Sequence, residues 1–292
     1  MSTRFRTWIL VAGLTALFIG VGGMVGGSSG ILLFAVIAVL FNLGMFWFSD
    51  RLALRMSRAR PLEQAEAPEL HQDVTELAGR AGIPIPRVYL IPSAQPNAFA
   101  AGRSPKHSVV AVTEGLLQLM PRSEVRGVVA HELAHIKNRD VLVTTIAAMI
   151  GAAISAIANI LQFQWLFGGG DDEENPLGAV GAIVAILVAP IAAMIIQLAV
   201  SRQREYLADE TAARIMGDGE PLARALASLQ RGTEVIPMQV NPATASLYIA
   251  SPLGGRGMAG LFSTHPAIPA RIERLQRFDA SRGVHWALAT AG

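Results

Sequence analysis

Val128-Val129-Ala130-His131-Glu132-Leu133-Ala134-His135-Ile136-Lys137-Asn138-Arg139-Asp140 contains one H-E-x-x-H. Residues four apart on a helix share a face, so His131 and His135 can present two imidazoles to one Zn²⁺. Glu132 then lies beside the remaining coordination position. A carboxylate there can take a proton from a metal-bound water and hand it to a leaving amine. The apolar neighbours Val128, Val129, Ala130 and Ile136 put the stretch on a partly buried helix. Two histidines and a glutamate in such a place need a partner, and a metal satisfies all three. A surface helix with two solvated histidines is the plainer alternative, and the apolar flanks count against it.

Composition points to a membrane. Of 292 residues, 52% are hydrophobic and only 16% charged, with a mean hydropathy of +0.42, too apolar for an ordinary soluble domain. A formal charge of +2 without a basic tract predicts no nucleic-acid partner. The absence of cysteine excludes disulfides, thiol catalysis and cysteine-bound zinc, leaving histidine and carboxylate as ligands.

Outward from the motif, charge disappears from Val141 to Gly170, and Gly151, Ser155 and Asn159 form a small, polar stripe suited to helix packing in lipid. We read this run as a spanning helix continuous with the motif's own helix. The acidic stretch 171–174 follows, then a second uncharged run from Asn175 to Ser201, with Pro190 as a kink. Towards the N-terminus, Thr7–Ser49 is uncharged and interrupted by the glycine-rich stretch 20–30. Each half is about 18–20 residues, long enough to span. A cleaved signal peptide fits poorly, because the apolar segment Ile31–Phe48 follows at once.

The expected fold is a mainly α membrane protein, with four transmembrane helices and an α+β cytosolic protease unit of zincin type. The expected parts are an N-terminal transmembrane hairpin (1–50), a cytosolic part with the H-E-x-x-H helix (51–140), a second transmembrane hairpin (141–200) and a cytosolic part with the third ligand (201–292). Arg4/Arg6, Arg51–Arg60, Lys137/Arg139 and Arg202/Arg204 all fall on one side of this arrangement. That predicts a multi-pass protein of the bacterial cytoplasmic (inner) membrane, its active site and both termini cytoplasmic.

Within the polar parts, Leu70, Val74, Leu77 and Ala81 fall at helical spacing in an amphipathic helix over 61–81. Strands are expected over 87–91, 96–102 and 108–114, and a short helix over 115–120. Ser123 is the expected N-cap of the motif's helix. Helices are expected over 221–230 and 269–278, with a flexible loop over 232–260 covering the site. His71, His107 and His285 read as surface residues.

The fourth span emerges into Glu205 and Asp209, four apart on one helical face. An antiparallel hairpin returns them to the level of His135. Glu205 is then the candidate third ligand, and Asp209 the candidate partner that fixes a ligating imidazole. Spacing alone leaves open that both are solvated charges.

With these residues assembled, the chain resembles the HtpX-like membrane zinc metalloproteases, relatives of the CAAX prenyl endopeptidases. The resemblance covers essentially the whole chain. It rests on HELAH at 131–135 followed by Arg139-Asp140, SRxREYxAD at 201–209, NAFAAG at 97–102, and THP at 264–266 with Arg271 beyond it. It implies one Zn²⁺ held by His131, His135 and Glu205, with Glu132 as general base and Asp209 in support. It further implies that Asn97 binds substrate at a sheet edge and that His265 and Arg271 reach the site as catalytic groups. The implied function is quality control and stress response: cleavage of misfolded or damaged membrane proteins at the bilayer surface, with self-cleavage allowed. A CAAX-type prenyl protease and a non-catalytic membrane scaffold with a retained metal site are the alternatives.

Overall fold

The computed structural model describes residues 3–148, 202–238, 240, 244–252, 266–284 and 286. The two later expected spans fall almost wholly outside these residues, as does His265.

Helix α1 (Thr3–Met56) is two helices joined at a break, Gly26 and Gly27. Gly27 has φ 56° and ψ −138°, a backbone state open essentially to glycine. Phe18 and Phe41 meet with ring centroids 5.6 Å apart, and Asn42 Nδ2 donates to Thr15 Oγ1 at 3.1 Å, so the two halves run antiparallel. Among the described residues, one helix, Gly26–Met56, is long and apolar enough to cross a membrane. Its apolar run ends at Trp47 and Phe48, and Asp50 and Arg51 follow. Trp47 lies under the Arg103 guanidinium, 4.6 Å from ring to cation.

The polar part is built on a four-stranded sheet of order β1-β2-β4-β3. Its strands are β1 (Arg60–Pro61), β2 (Arg87–Ile91), β3 (Ala98–Ser104) and β4 (His107–Thr113). β2 and β4 are parallel, pairing Arg87 with Val109. β3 is an antiparallel edge strand, pairing Ala98 with Val112. The run Val109–Val112 is apolar without alternation, as a strand covered on both faces must be. Ala98, Ala100, Val110 and Val112 join the core formed with α2 (Pro68–Ala81), α4 (Arg122–Asn138), α5 (Arg202–Met216) and α6 (Glu220–Val235). The intervening Phe99, Ala101, Val109 and Ala111 pack instead with Met45, Ala53, Leu54, Val143 and Tyr248. One sheet therefore separates the H-E-x-x-H helix and its neighbours from the apolar N-terminal helix.

The H-E-x-x-H helix α4 follows the short α3 (Glu114–Leu119), which Thr113 caps through its side chain. α4 packs against α2, α5 and α6. Asp73, itself buried, accepts from Arg122 and Arg126 and ties α2 to the start of α4. At Gly127 the backbone of α6 comes so close that a Cβ would lie 2.7 Å from Leu222 N. Gly127→Ala must push the two helices apart. The expected cost is about 1–3 kcal/mol, read as a lowered melting temperature in detergent. Unchanged melting would show that α6 yields there freely.

Three local expectations are corrected. α4 is not continuous with the next helix. Arg139 takes left-handed φ 58° and ψ 32°, closing α4, and the Asp140 N–H returns to His135 O at 3.3 Å. A new helix starts at 141, so Asp140 sits in a corner and can turn its carboxylate back. Second, Pro121 rather than Ser123 stands at the N-cap. Third, the stretch 232–260 is ordered in its described parts. α6 runs on to Val235, Thr244–Leu247 forms a 3-10 turn, and Tyr248, Ile249 and Ala250 are buried. His71 is also tied down, its Nε2 2.8 Å from Leu62 O. A last helix, α7 (Ile268–Ser281), packs on α5 and α6.

Candidate metal centre

α4 brings His131 Nε2 to 3.1 Å from His135 Nε2, with the rings perpendicular at 89°. α5 crosses α4 and sets Glu205 against both: Oε2 lies 3.7 Å from His131 Nε2 and Oε1 3.6 Å from His135 Nε2. Around tetrahedral zinc, with Zn–N of about 2.05 Å, neighbouring donor atoms stand about 3.3 Å apart. The three groups thus have the spacing of one zinc shell.

The far side of each ring decides which nitrogen faces inward. His131 Nδ1 lies 3.0 Å from Asp209 Oδ1, and His135 Nδ1 lies 3.1 Å from both Asp140 oxygens. A carboxylate accepts, so each Nδ1 carries the proton and each Nε2 offers a lone pair. Two lone pairs aimed at one point repel unless a cation lies between them. Glu132, Glu205, Asp209 and Asp140 are all buried around this point, and Arg271 is the buried guanidinium beside them. Among the described residues, four buried carboxylates against one fully buried guanidinium leave a negative excess that a divalent cation offsets. The donor set therefore fits zinc.

Burial pushes His131 down to about 4, with Arg271 adding to the effect. Burial opposes charge on His135 too, but Asp140, with Glu205 and Glu132 behind it, overrides this and raises the ring to about 10. Burial raises Glu132 to about 7, while His135 and, less strongly, the Ala100 N–H pull the other way. Burial resists ionisation of Asp209, yet Arg271 holds it below the ordinary carboxylate range.

The sign of the pH dependence follows. Glu132 and His135 have folded values above their ordinary 4.5 and 6.5, so stability from their protons is complete below those values. It is lost as pH rises through about 7 and about 10. His131 and Asp209 are depressed, so their contributions are lost as pH falls. Chelator-treated protein should melt highest near about pH 6 and lower towards pH 9. Zinc, replacing the protons, should flatten the alkaline fall. A flat alkaline limb without zinc would contradict this.

Arg271 is 0% exposed and lies behind the cluster. Its Nε and Nη2 fork across Asp209 at 2.9 and 2.7 Å. Its Nη1 donates to Ile249 O at 3.1 Å and lies 3.7 Å from Glu205 Oε2. This places it as a brace for Asp209 and, through Asp209, for His131. Asn97 is 0% exposed as well. Its Nδ2 donates to Ala250 O at 2.8 Å, and its Oδ1 accepts from the Ala98 and Ala250 N–H groups at 3.1 and 3.3 Å. Its amide is engaged by this protein's own backbone.

The sequence reading named Asp140 only within a motif and gave it no role. Its position five residues after His135 gave no sign of contact, because the helix was read straight through. Asp140→Ala should weaken zinc binding about 10- to 100-fold, measured by competition with a chromophoric chelator. An unchanged affinity would mean that Asp140 does not set the ring.

Residues 64–279 match peptidase family M48. The chain belongs to that family. It is thereby a metallopeptidase, a hydrolase of peptide bonds. A "Protease HtpX homolog" of Syntrophobacter fumaroxidans is 52% identical over 280 residues, covering 94% of this chain and 99% of the relative. One of Pelotomaculum thermopropionicum is 54% identical over 274 residues, covering 93% and 98%. One of Pyrococcus furiosus is 48% identical over 280 residues, covering 96% and 97%. The crystal structure of S. mikatae Ste24p superposes with a TM-score of 0.51 at 20% identity, which speaks to fold alone. That match covers 90% of this chain, which spans 62% of the Ste24p chain.

Proposed function

We propose that the protein is a membrane-bound zinc endopeptidase that cuts misfolded or damaged membrane proteins at the cytoplasmic face of the bacterial inner membrane. The observation that carries this is the convergence of His131, His135 and Glu205, each imidazole locked from behind by a carboxylate, with Glu132 beside them. These three residues would hold one zinc per chain. Bound there, zinc would acidify a water and polarise a substrate carbonyl. Glu132 moves the proton, first from the water and then to the departing amine. Asp209 and Asp140 hold the two imidazoles in register, and Arg271 keeps Asp209 ionised. His265, outside the described residues, is kept as a candidate oxyanion partner.

The Gly26–Met56 helix and its antiparallel first half supply one membrane hairpin. Runs 141–170 and 175–201 would supply the second, and the placement of the arginines puts the catalytic part in the cytoplasm. A site at the bilayer surface can reach exposed loops of membrane proteins, this protein's own included, which allows self-cleavage. The CAAX-type alternative is not favoured, since the relatives matched over nearly their full length are HtpX homologs.

The test is cleavage of a destabilised membrane protein co-reconstituted with the full chain, with zinc measured on the same sample. Cutting that stops with chelator and returns with zinc supports the reading. Bound zinc without cutting would favour the scaffold alternative.

A further inference from the structure

The outer edge of β3 is already in use at one end. In an antiparallel strand, residues alternate between facing the partner strand and facing outward. Asn97 O accepts from the Thr113 N–H, so Ala98, Ala100 and Gly102 turn their backbone groups to the outer edge, away from β4. At Ala98 that edge is filled: the Ile249 N–H donates to Ala98 O at 3.0 Å. At Ala100 the strand packs on α4, and its N–H faces the side of the Glu132 carboxylate. The edge therefore passes the catalytic carboxylate, and a piece of this protein's own chain lies on it one outward position before that carboxylate.

This piece is strongly held. Asn97 bridges both backbone groups of Ala250. Arg271, which braces Asp209, also holds Ile249 O. Tyr248 is 0% exposed, packs edge-on against Phe99 with centroids 5.2 Å apart, and reaches Ser57 Oγ at 3.2 Å. Lifting the segment would bare Tyr248 and strand the Asn97 amide and one Arg271 N–H in a buried place, a costly outcome for polar groups.

We propose that residues 248–250 are a fixed end-stop of the substrate groove, so that a substrate strand pairs with β3 from Ala100 towards Gly102 and not at Ala98. This rests on the peptidase reading above and deepens it by assigning a specificity determinant. The substrate is an extended segment read over several residues on the Gly102 side of the scissile bond. On the Ala98 side it must end or turn away from the sheet after one or two residues. Asn97 is then a positioning residue that acts through Ala250.

The experiment has two arms on the full chain. A proteome-derived peptide library is digested, and residue preferences are mapped on both sides of each cut. The inference expects preferences over three or more positions on one side and at most two on the other. Asn97→Ala should extend the short side, with KM changed more than kcat. The second arm needs no groove variant. Hydrogen exchange is measured on zinc-loaded Glu132→Gln, with and without excess of a library peptide that wild type cuts. Residues 247–251 should keep their protection, while exchange around Gly102 slows at least tenfold. Loss of protection at 247–251 on peptide binding would make the segment a displaceable plug and overturn the end-stop. Preferences of equal reach on both sides would overturn it too. A library left uncut by zinc-loaded wild type would sink the peptidase reading itself, and this inference with it.

Discussion

Glu132→Gln retains one zinc per chain and loses about 10²- to 10⁴-fold in kcat. The amide matches the carboxylate in size, and its oxygen can still accept from the Ala100 N–H, so the buried pocket is kept. It cannot accept a proton from water. The ligand atoms on His131, His135 and Glu205 are untouched, so metal content should not move. The variant should also melt higher than wild type at pH 8 when both are stripped of zinc. Wild type carries there an ionised, buried carboxylate whose pKa is raised from 4.5 to about 7. That penalty is on the order of 3 kcal/mol, and the amide does not incur it. Single-turnover cleavage, metal analysis and melting on one preparation read all three. A variant that cuts like wild type would remove Glu132 from the role of base.

Arg271→Met should be the most destabilising single change at the site. The guanidinium is 0% exposed and makes two bonds to Asp209, which is itself only 2% exposed. Removing one partner of such a pair leaves the other charge buried alone, which costs about 3–5 kcal/mol. The Ile249 carbonyl loses its donor as well. Arg271→Lys should rescue little, because one ammonium cannot fork across two carboxylate oxygens and reach a third acceptor. Arg271→Met with Asp209→Asn should regain part of the stability by removing the orphaned charge. It should not regain zinc affinity, since the anionic partner of His131 Nδ1 is gone. Melting temperature at saturating zinc and zinc affinity separate the two effects. An Arg271→Met protein as stable as wild type would show that Asp209 finds another partner.

Much of this was legible because it is local. The meeting of His131 and His135 needs only the spacing of a helix. β2 was read at its observed bounds, and β3 and β4 within two residues, because apolar runs and turn residues lie next to each other in the chain. Glu205 could be proposed because a hairpin of helices returns to its starting level. What was not legible depends on contacts distant in sequence or on unusual backbone. Nothing near Arg139 announces a left-handed residue, since glycine, the usual marker, is absent. With that corner missed, Asp140 pointed nowhere. Arg271 was expected only through the resemblance, as a catalytic group, because the buried carboxylate it braces lies 62 residues away. The apparent loop 232–260 is rich in loop-forming residues, yet Asn97 and Phe99 supply partners that bury Tyr248–Ala250. Gly127 carried no sign of its role because the α6 backbone it admits, at Leu222, is distant in the chain.

The two-sided sheet also works as a ruler. β3 begins beside α4 and carries Arg103 next to its end, with the Arg103 guanidinium on Trp47 where the apolar run of the N-terminal helix gives way to charge. Trp is a residue of the boundary between lipid and water. Glu132 faces β3 at Ala100, three residues from Arg103, which in an extended strand is about 10 Å. On the proposed reading, with the apolar helix in the bilayer, the distance from the lipid boundary to the cut would be set by one short strand. Peptide bonds a few extended residues outside a substrate's own membrane segment would then reach the site without unravelling that segment. Bonds deep in lipid, or far out in a folded cytosolic domain, would not.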